Sequence, residues 1–238
     1  TAQLEWSKTY GGSLDDRGHS LVHMTDGGYA LLGYSMSSDI DASNNEGQHD
    51  NWVLRVDAQG ELMWEKSFGF SGHDHAYSII ATQDGGLLFN GFLDVTSSGG
   101  LGSTSKGGRH GVGEFWVHKI DTSGNIQWRR FYGGTSNDRS YAAVETDEGD
   151  FVIVGTTEST DVDISSPRGD YDVWVIKIAE DGTLLWERSF GGSEYEGSNA
   201  VWLDSKQVLH VFGNTFSTDK DISSPLGSSD FWLISLDQ

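Results

Sequence analysis

Three loops of this chain repeat one pattern of oxygen donors. Asp39, Asp41, Ser43 and Asp50 recur as Asp161, Asp163, Ser165 and Asp172, and again as Asp219, Asp221, Ser223 and Asp230. Two carboxylates with one residue between them, then a hydroxyl, then a further carboxylate at the loop's end would offer a hard cation several ligands from one short segment. Calcium takes about six to eight such oxygens at roughly 2.3–2.6 Å, so the spacing predicts Ca2+ as a bound cofactor. The same residues have a plainer use, in which Asp and Ser accept nearby backbone N–H groups and cap turns. Glu114 stands in the place of Asp50 in a unit without the Asp pair, so this last acid has a use apart from the others.

A second set of acids, Asp16, Asp74, Asp138 and Glu196, lies at one spacing behind Trp6, Trp64, Trp128 and Trp186. Arg17, His75 and Arg139 follow three of them. Such a ring is either a ligand-binding site at a channel mouth or one anchoring device used four times. Its presence in every unit favours the anchor. Specificity is better sought where the repetition breaks. The second unit carries Lys106, Arg109 and His110 in a Gly/Ser-rich stretch, able to meet an anionic group such as a uronate or sulfate, or else a plain insertion. His73 and His75 are potential transition-metal ligands, a weak signal as a pair. No catalytic residue is assigned: cysteine is absent, no G-x-S-x-G, HExxH or Gly-Lys-Thr motif occurs, and acids are too abundant for their spacing to mark glycosidic chemistry.

These residues must be positioned by a repeated scaffold. The phrases WSKTYGG, WEKSFGF, WRRFYGG and WERSFGG open at Trp6, Trp64, Trp128 and Trp186, at spacings of 58, 64 and 58. Each unit holds four short runs rich in β-branched and aromatic residues, joined by turns such as Asp26-Gly27-Gly28 and Asp84-Gly85-Gly86. The expectation is one all-β domain over residues 1–238, a four-bladed β-propeller with four antiparallel strands per blade. Its units are 6–63, 64–127, 128–185 and 186–238 plus 1–5, so that the N-terminal strand LEWSKTY completes the last blade and closes the ring. A β-solenoid or a twisted stack of sheets is the rival, and would not need its termini to complement each other. All nine Trp fall at recurring strand positions and are expected to pack within or between blades. Gly33, Gly91, Gly155 and Gly213 recur in register and predict a crowded point or bulge on the second strand.

Composition narrows the partners. A net charge of −21 speaks against nucleic acid and anionic membranes, which require clustered Lys and Arg. No apolar run approaches the ~18 residues of a membrane span, and the first residue, Thr1, is compatible with a removed leader or an excised domain.

The segment from Asp57 through Gly60 and Trp64 to Gly69 recurs as Asp121, Gly124, Trp128 and Gly133, and as Gly182, Trp186 and Gly191. It resembles the tryptophan-docking phrase of quinoprotein-type blades. With the GG-S-x-x-D stretch, the DGG turn and D-x-W-V-x-K/R, the repeat resembles bacterial β-propeller (SBBP-type) repeats of secreted and surface proteins. That resemblance implies an extracytoplasmic bacterial scaffold and no particular activity. No quinone cofactor is expected, because quinoprotein dehydrogenases close eight blades and this chain has neither those blades nor a vicinal Cys pair. The expected function is a monomeric, non-catalytic, secreted or cell-surface binding or adhesion module that takes a glycan or a surface protein. A polysaccharide hydrolase or lyase and a structural spacer are the alternatives.

Overall fold

The computed structural model describes residues 1–95 and 113–237. Lys106, Arg109 and His110, offered as an anion-binding loop, lie outside the described residues. Among the described residues fifteen strands follow the four units. Sheet 1 is β1 (Asp16–His23), β2 (Tyr29–Ser35), β3 (Asp50–Val56) and β4 (Leu62–Phe68). Sheet 2 is β5 (His75–Ala81), β6 (Leu87–Asp94), β7 (Gly113–Ile120) and β8 (Ile126–Tyr132). Sheet 3 is β9 (Asp138–Glu145), β10 (Phe151–Thr157), β11 (Asp172–Ile178) and β12 (Leu184–Phe190). Sheet 4 is β13 (Glu196–Leu203), β14 (Leu209–Thr215) and β15 (Asp230–Leu236). Every pairing is antiparallel between chain neighbours, as tight turns demand.

The sheets are stacked like blades through apolar faces. Val22, Leu32 and Val53 of sheet 1 pack with Ile79, Phe89 and Ile120 of sheet 2. Ile80, Leu88 and Val117 on the other face of sheet 2 meet Phe151, Ile153 and Trp174 of sheet 3. Val152, Val154 and Val175 then meet Leu209, Val211 and Trp232 of sheet 4. A middle sheet is therefore apolar on both faces, which is why the middle strands β7 and β10 are buried along their whole length. The first strands lie side by side, β1 on β5, β5 on β9 and β9 on β13. Among the described residues there is no comparable packing of sheet 4 on sheet 1.

The N-terminal strand departs from expectation. Residues 1–12 form no strand, and sheet 4 has three strands instead of four. The segment instead lies against sheet 1, where the Tyr10 hydroxyl donates to the Gly60 carbonyl and Lys8 pairs with Glu61. Two of the nine Trp also differ from expectation: Trp202 is largely exposed, and Trp6, whose ring lies against the Gly60 turn of sheet 1, is 44% exposed.

The recurring glycines hold their predicted place. Where β1, β5, β9 and β13 each slip register against the second strand, a Cβ on Gly33, Gly91, Gly155 or Gly213 would run into the carbonyl oxygen of Arg17, His75, Arg139 or Gly197. The obstacle is backbone and cannot swing aside. Gly155→Ala should lower stability by about 1–3 kcal/mol, read as a shifted urea midpoint at constant m. Gly18→Ala, whose added Cβ meets nothing, should stay within about 0.5 kcal/mol.

Candidate metal centre

The Asp loops turn out to be clasps between segments. Asp39 accepts the Ser13 N–H at 2.8 Å and Asp41 the Gly11 N–H at 3.2 Å. Asp161 and Asp163 do the same for Thr135 and Gly133, and Asp219 and Asp221 for Ser193 and Gly191. In each case the loop between second and third strands is fastened to the connection that enters its own sheet. Ser43 and Ser165 donate to Glu65 and Glu187, which also accept the indole N–H of Trp52 and Trp174. Sheet 4 has no fourth strand to offer Ser223 an equivalent glutamate. Asp50, Asp172 and Asp230 accept the N–H groups of Glu46, Arg168 and Leu226 and close the loop ends. The carboxylates thus face different donors, and among the described residues no Asp set gathers three ligand atoms at one point.

The second acid set is likewise turned into the protein. Asp16 accepts from Gly12 N–H and from the hydroxyls of Ser35 and Ser37. Asp74 accepts from Phe70 and Asp94 N–H groups, Asp138 from Gly134 N–H, Thr157 and Ser159, and Glu196 from Gly192 N–H and Thr215. Asp74, Asp138 and Glu196 are fully buried. They anchor the connections, and their oxygens do not line an open mouth. They also meet the third-strand acids across each junction: a side chain on Gly133 would collide with both Glu114 and Asp138, and one on Gly191 with both Asp172 and Glu196.

Cation-binding chemistry appears where repetition breaks. His73 and His75 are joined by His49, the residue before β3, through a parallel bridge between His49 and His73. The Nδ1 atoms of His49 and His73 are 2.5 Å apart, and one donor nitrogen from each of the three rings lies within 4.8 Å of the others. Two imidazole nitrogens at this distance form a hydrogen-bonded pair, one donating and the other accepting. Burial and the neighbouring imidazoles hold His49 below the usual histidine range and push His75 down to about 4, which keeps their lone pairs available. Tyr34 packs edge-on against His49 and His75, with ring centroids at 4.6 and 4.8 Å.

The site adjoins a row of rings on the first strands of the sheets, His75 stacking on Tyr77. His19, Tyr77 and Tyr141 succeed one another from β1 to β9, at 5.7 and 5.1 Å. Arg17 lies over Tyr34 within sheet 1, and Arg139 of sheet 3 lies over Phe92 of sheet 2. Beyond them a cleft of about 190 Å³ is lined by Asn137, Arg139, Tyr141, Tyr171 and Tyr195. His49 escaped the sequence reading because it lies in another repeat from its partners. The signal was nonetheless present: His49 precedes Asp50 and His73 precedes Asp74, two recurring acids from facing sheets.

None of the protein-family models matches the chain. A search of curated proteins finds similarity to regulatory protein FlaEY of Caulobacter vibrioides, 23% identical over 180 residues, covering 72% of this chain. The match spans only 19% of that protein's length. Among solved structures, a protein of unknown function from Bacteroides caccae aligns over 74% of this chain and 68% of its own, at 12% identity and a TM-score of 0.33.

The buried acids make stability depend on pH. Burial pushes Asp138 and Asp172 up to about 6, from 3.8. Between those limits the folded state retains protons that the unfolded chain has released, so stability is greatest below about pH 4 for these groups and falls as pH rises through 6. Urea midpoints measured from pH 4 to 7 should show a downward slope from this source that is reduced in Asp138→Asn, whose amide does not titrate. An identical slope in both proteins would refute the assignment.

Proposed function

We propose that the chain is a non-catalytic binding module built from propeller blades, and that it holds a divalent transition-metal ion at the junction of its first two sheets. The observation that carries this reading is the convergence of His49, His73 and His75 from two sheets onto one point. Imidazole nitrogen suits zinc, copper and nickel better than calcium, which takes oxygen. A tetrahedral zinc ion with bonds of about 2.0–2.1 Å holds its nitrogens roughly 3.3 Å apart, a spacing these rings reach by small rotations. Three protein ligands leave a fourth position for water or for a donor group on a bound partner. Arg17, Tyr34 and the row of first-strand rings stand beside that position, offering charge and stacking surface to a glycan or protein ligand.

Calorimetric titration of the metal-stripped chain with Zn2+ should show one ion per chain. His49→Ala, or His73→Ala with His75→Ala, should weaken binding by on the order of tenfold or more, since even the loss of outer-shell partners costs that much. Asp161→Asn with Asp163→Asn should leave the zinc isotherm unchanged. Equal zinc affinity in the histidine variants would sink the proposal.

A further inference from the structure

The cleft beside β9 holds a cation without a counterion. Arg139 and Tyr141 reach it from β9 and Thr156 from β10, while Asn137, Tyr171 and Tyr195 reach it from the residues just before β9, β11 and β13. Its volume of about 190 Å³ is below the roughly 300–1,000 Å³ of pockets that enclose drug-sized ligands, so it admits a single ring. The Tyr171 and Tyr195 rings lie 5.4 Å apart, and Phe216 backs Tyr195 edge-on at 5.8 Å.

Comparison between units shows why the charge of Arg139 is unspent. Arg17 holds the same repeat position in the first unit, where Asp15, two residues earlier, pairs with it at 2.9 Å. In the third unit Asn137 takes the place of Asp15. Among the described residues no carboxylate lies within ion-pair distance of Arg139. Its guanidinium is held over the Phe92 ring, 5.0 Å from the centroid, and hydrogen-bonds with the Tyr141 hydroxyl. Glu158 is committed elsewhere: it accepts from the Asn137 amide at 3.1 Å and from the Tyr171 hydroxyl. Burial pushes the Tyr141 and Tyr171 phenols up, so they stay neutral and do not repel an anion.

We infer that this cleft binds one hexuronate residue of an acidic glycan, with Arg139 taking the carboxylate and the three tyrosines the sugar ring. The planar fork of a guanidinium matches a carboxylate in two parallel hydrogen bonds. One guanidinium balances one carboxylate, whereas a phosphate dianion would keep half its charge unpaired here. A sugar ring also brings hydroxyls to the phenol and amide groups of the lining, which an aromatic acid of the same size would leave unpaired. Tyrosine suits both demands, since its ring offers a flat apolar face and its tip a hydrogen bond. The inference rests on the reading of the chain as a binding module but asks for no metal, because none of the lining residues is a histidine.

The test is calorimetric titration of the whole chain, in EDTA, with the methyl glycosides of glucuronate, galacturonate and mannuronate. At least one should saturate in the millimolar range or tighter. The corresponding neutral methyl hexoside should bind about tenfold more weakly or worse, the worth of one charge-assisted hydrogen bond. Arg139→Gln should weaken uronate binding by a similar factor. So should Asn137→Asp, which restores beside Arg139 the carboxylate that Arg17 has in the first unit. Arg139 is exposed and Asn137 half-buried, so both variants should keep the far-ultraviolet β-sheet spectrum. Saturation by none of the three uronides, equal affinity for the neutral sugar, an unchanged isotherm in Arg139→Gln, or displacement of the uronide by equimolar inorganic sulfate overturns the inference. Zinc binding by the histidines is measured apart, so the failure of either result leaves the other standing.

Discussion

The constraint on which this structure depends is that a middle sheet is apolar on both faces. Such a sheet has no solvent-facing side to fall back on, so each unit is stable only between two others. Sheets 2 and 3 meet that condition within the chain, and their second and third strands are nearly all buried. The polar devices follow from the stacking. Close approach of successive sheets leaves the connecting segments between them dry, and dry backbone N–H groups need acceptors. The aspartates that clasp Gly11, Gly133 and Gly191 supply them.

Much of this was legible in the sequence because the repeat compares each residue with three others. The strand boundaries, the turns, the glycine that lets the first strand pass close to the second, and the anchoring use of Asp16, Asp74, Asp138 and Glu196 all recur, and recurrence points to a shared structural cause. What was hidden depends on distance across the repeat. His49 joins His73 only because β3 and β5 start side by side, and no local spacing reveals that. The Asp loops show the opposite case. Their spacing within one loop is regular, yet the first two carboxylates of each set accept from N–H groups 26 or 30 residues away and the third from one four residues away, so the three face different donors. The N-terminal segment LEWSKTY carries the pattern of a fourth strand, yet residues 1–12 form no strand and lie against sheet 1. Its place was misjudged because pattern identifies a strand type without saying which edge it joins.

The chain's strong negative charge also takes on a different meaning. Many of the acids are buried or half-buried acceptors for backbone N–H groups, and their desolvation lifts Asp138 and Asp172 toward neutrality. The first strands β1, β5 and β9, by contrast, carry imidazole, phenol and guanidinium groups. Net charge thus describes the outside and the joints of the molecule better than the surface most suited to recognition.

The parallel bridges at the sheet junctions have a consequence for how such a chain can change. His49 with His73, Gly113 with Asn137 and Tyr171 with Tyr195 occupy one backbone slot at three successive junctions. The anchoring acids directly after these residues are retained in every case, so the slot's geometry does not depend on what fills it. The first and third junctions therefore carry different ring chemistries on one backbone arrangement, whereas at the second a side chain on Gly113 would meet the Phe92 ring. A repeat of this kind is a row of sockets, in which the first happens to carry imidazoles and the third phenols.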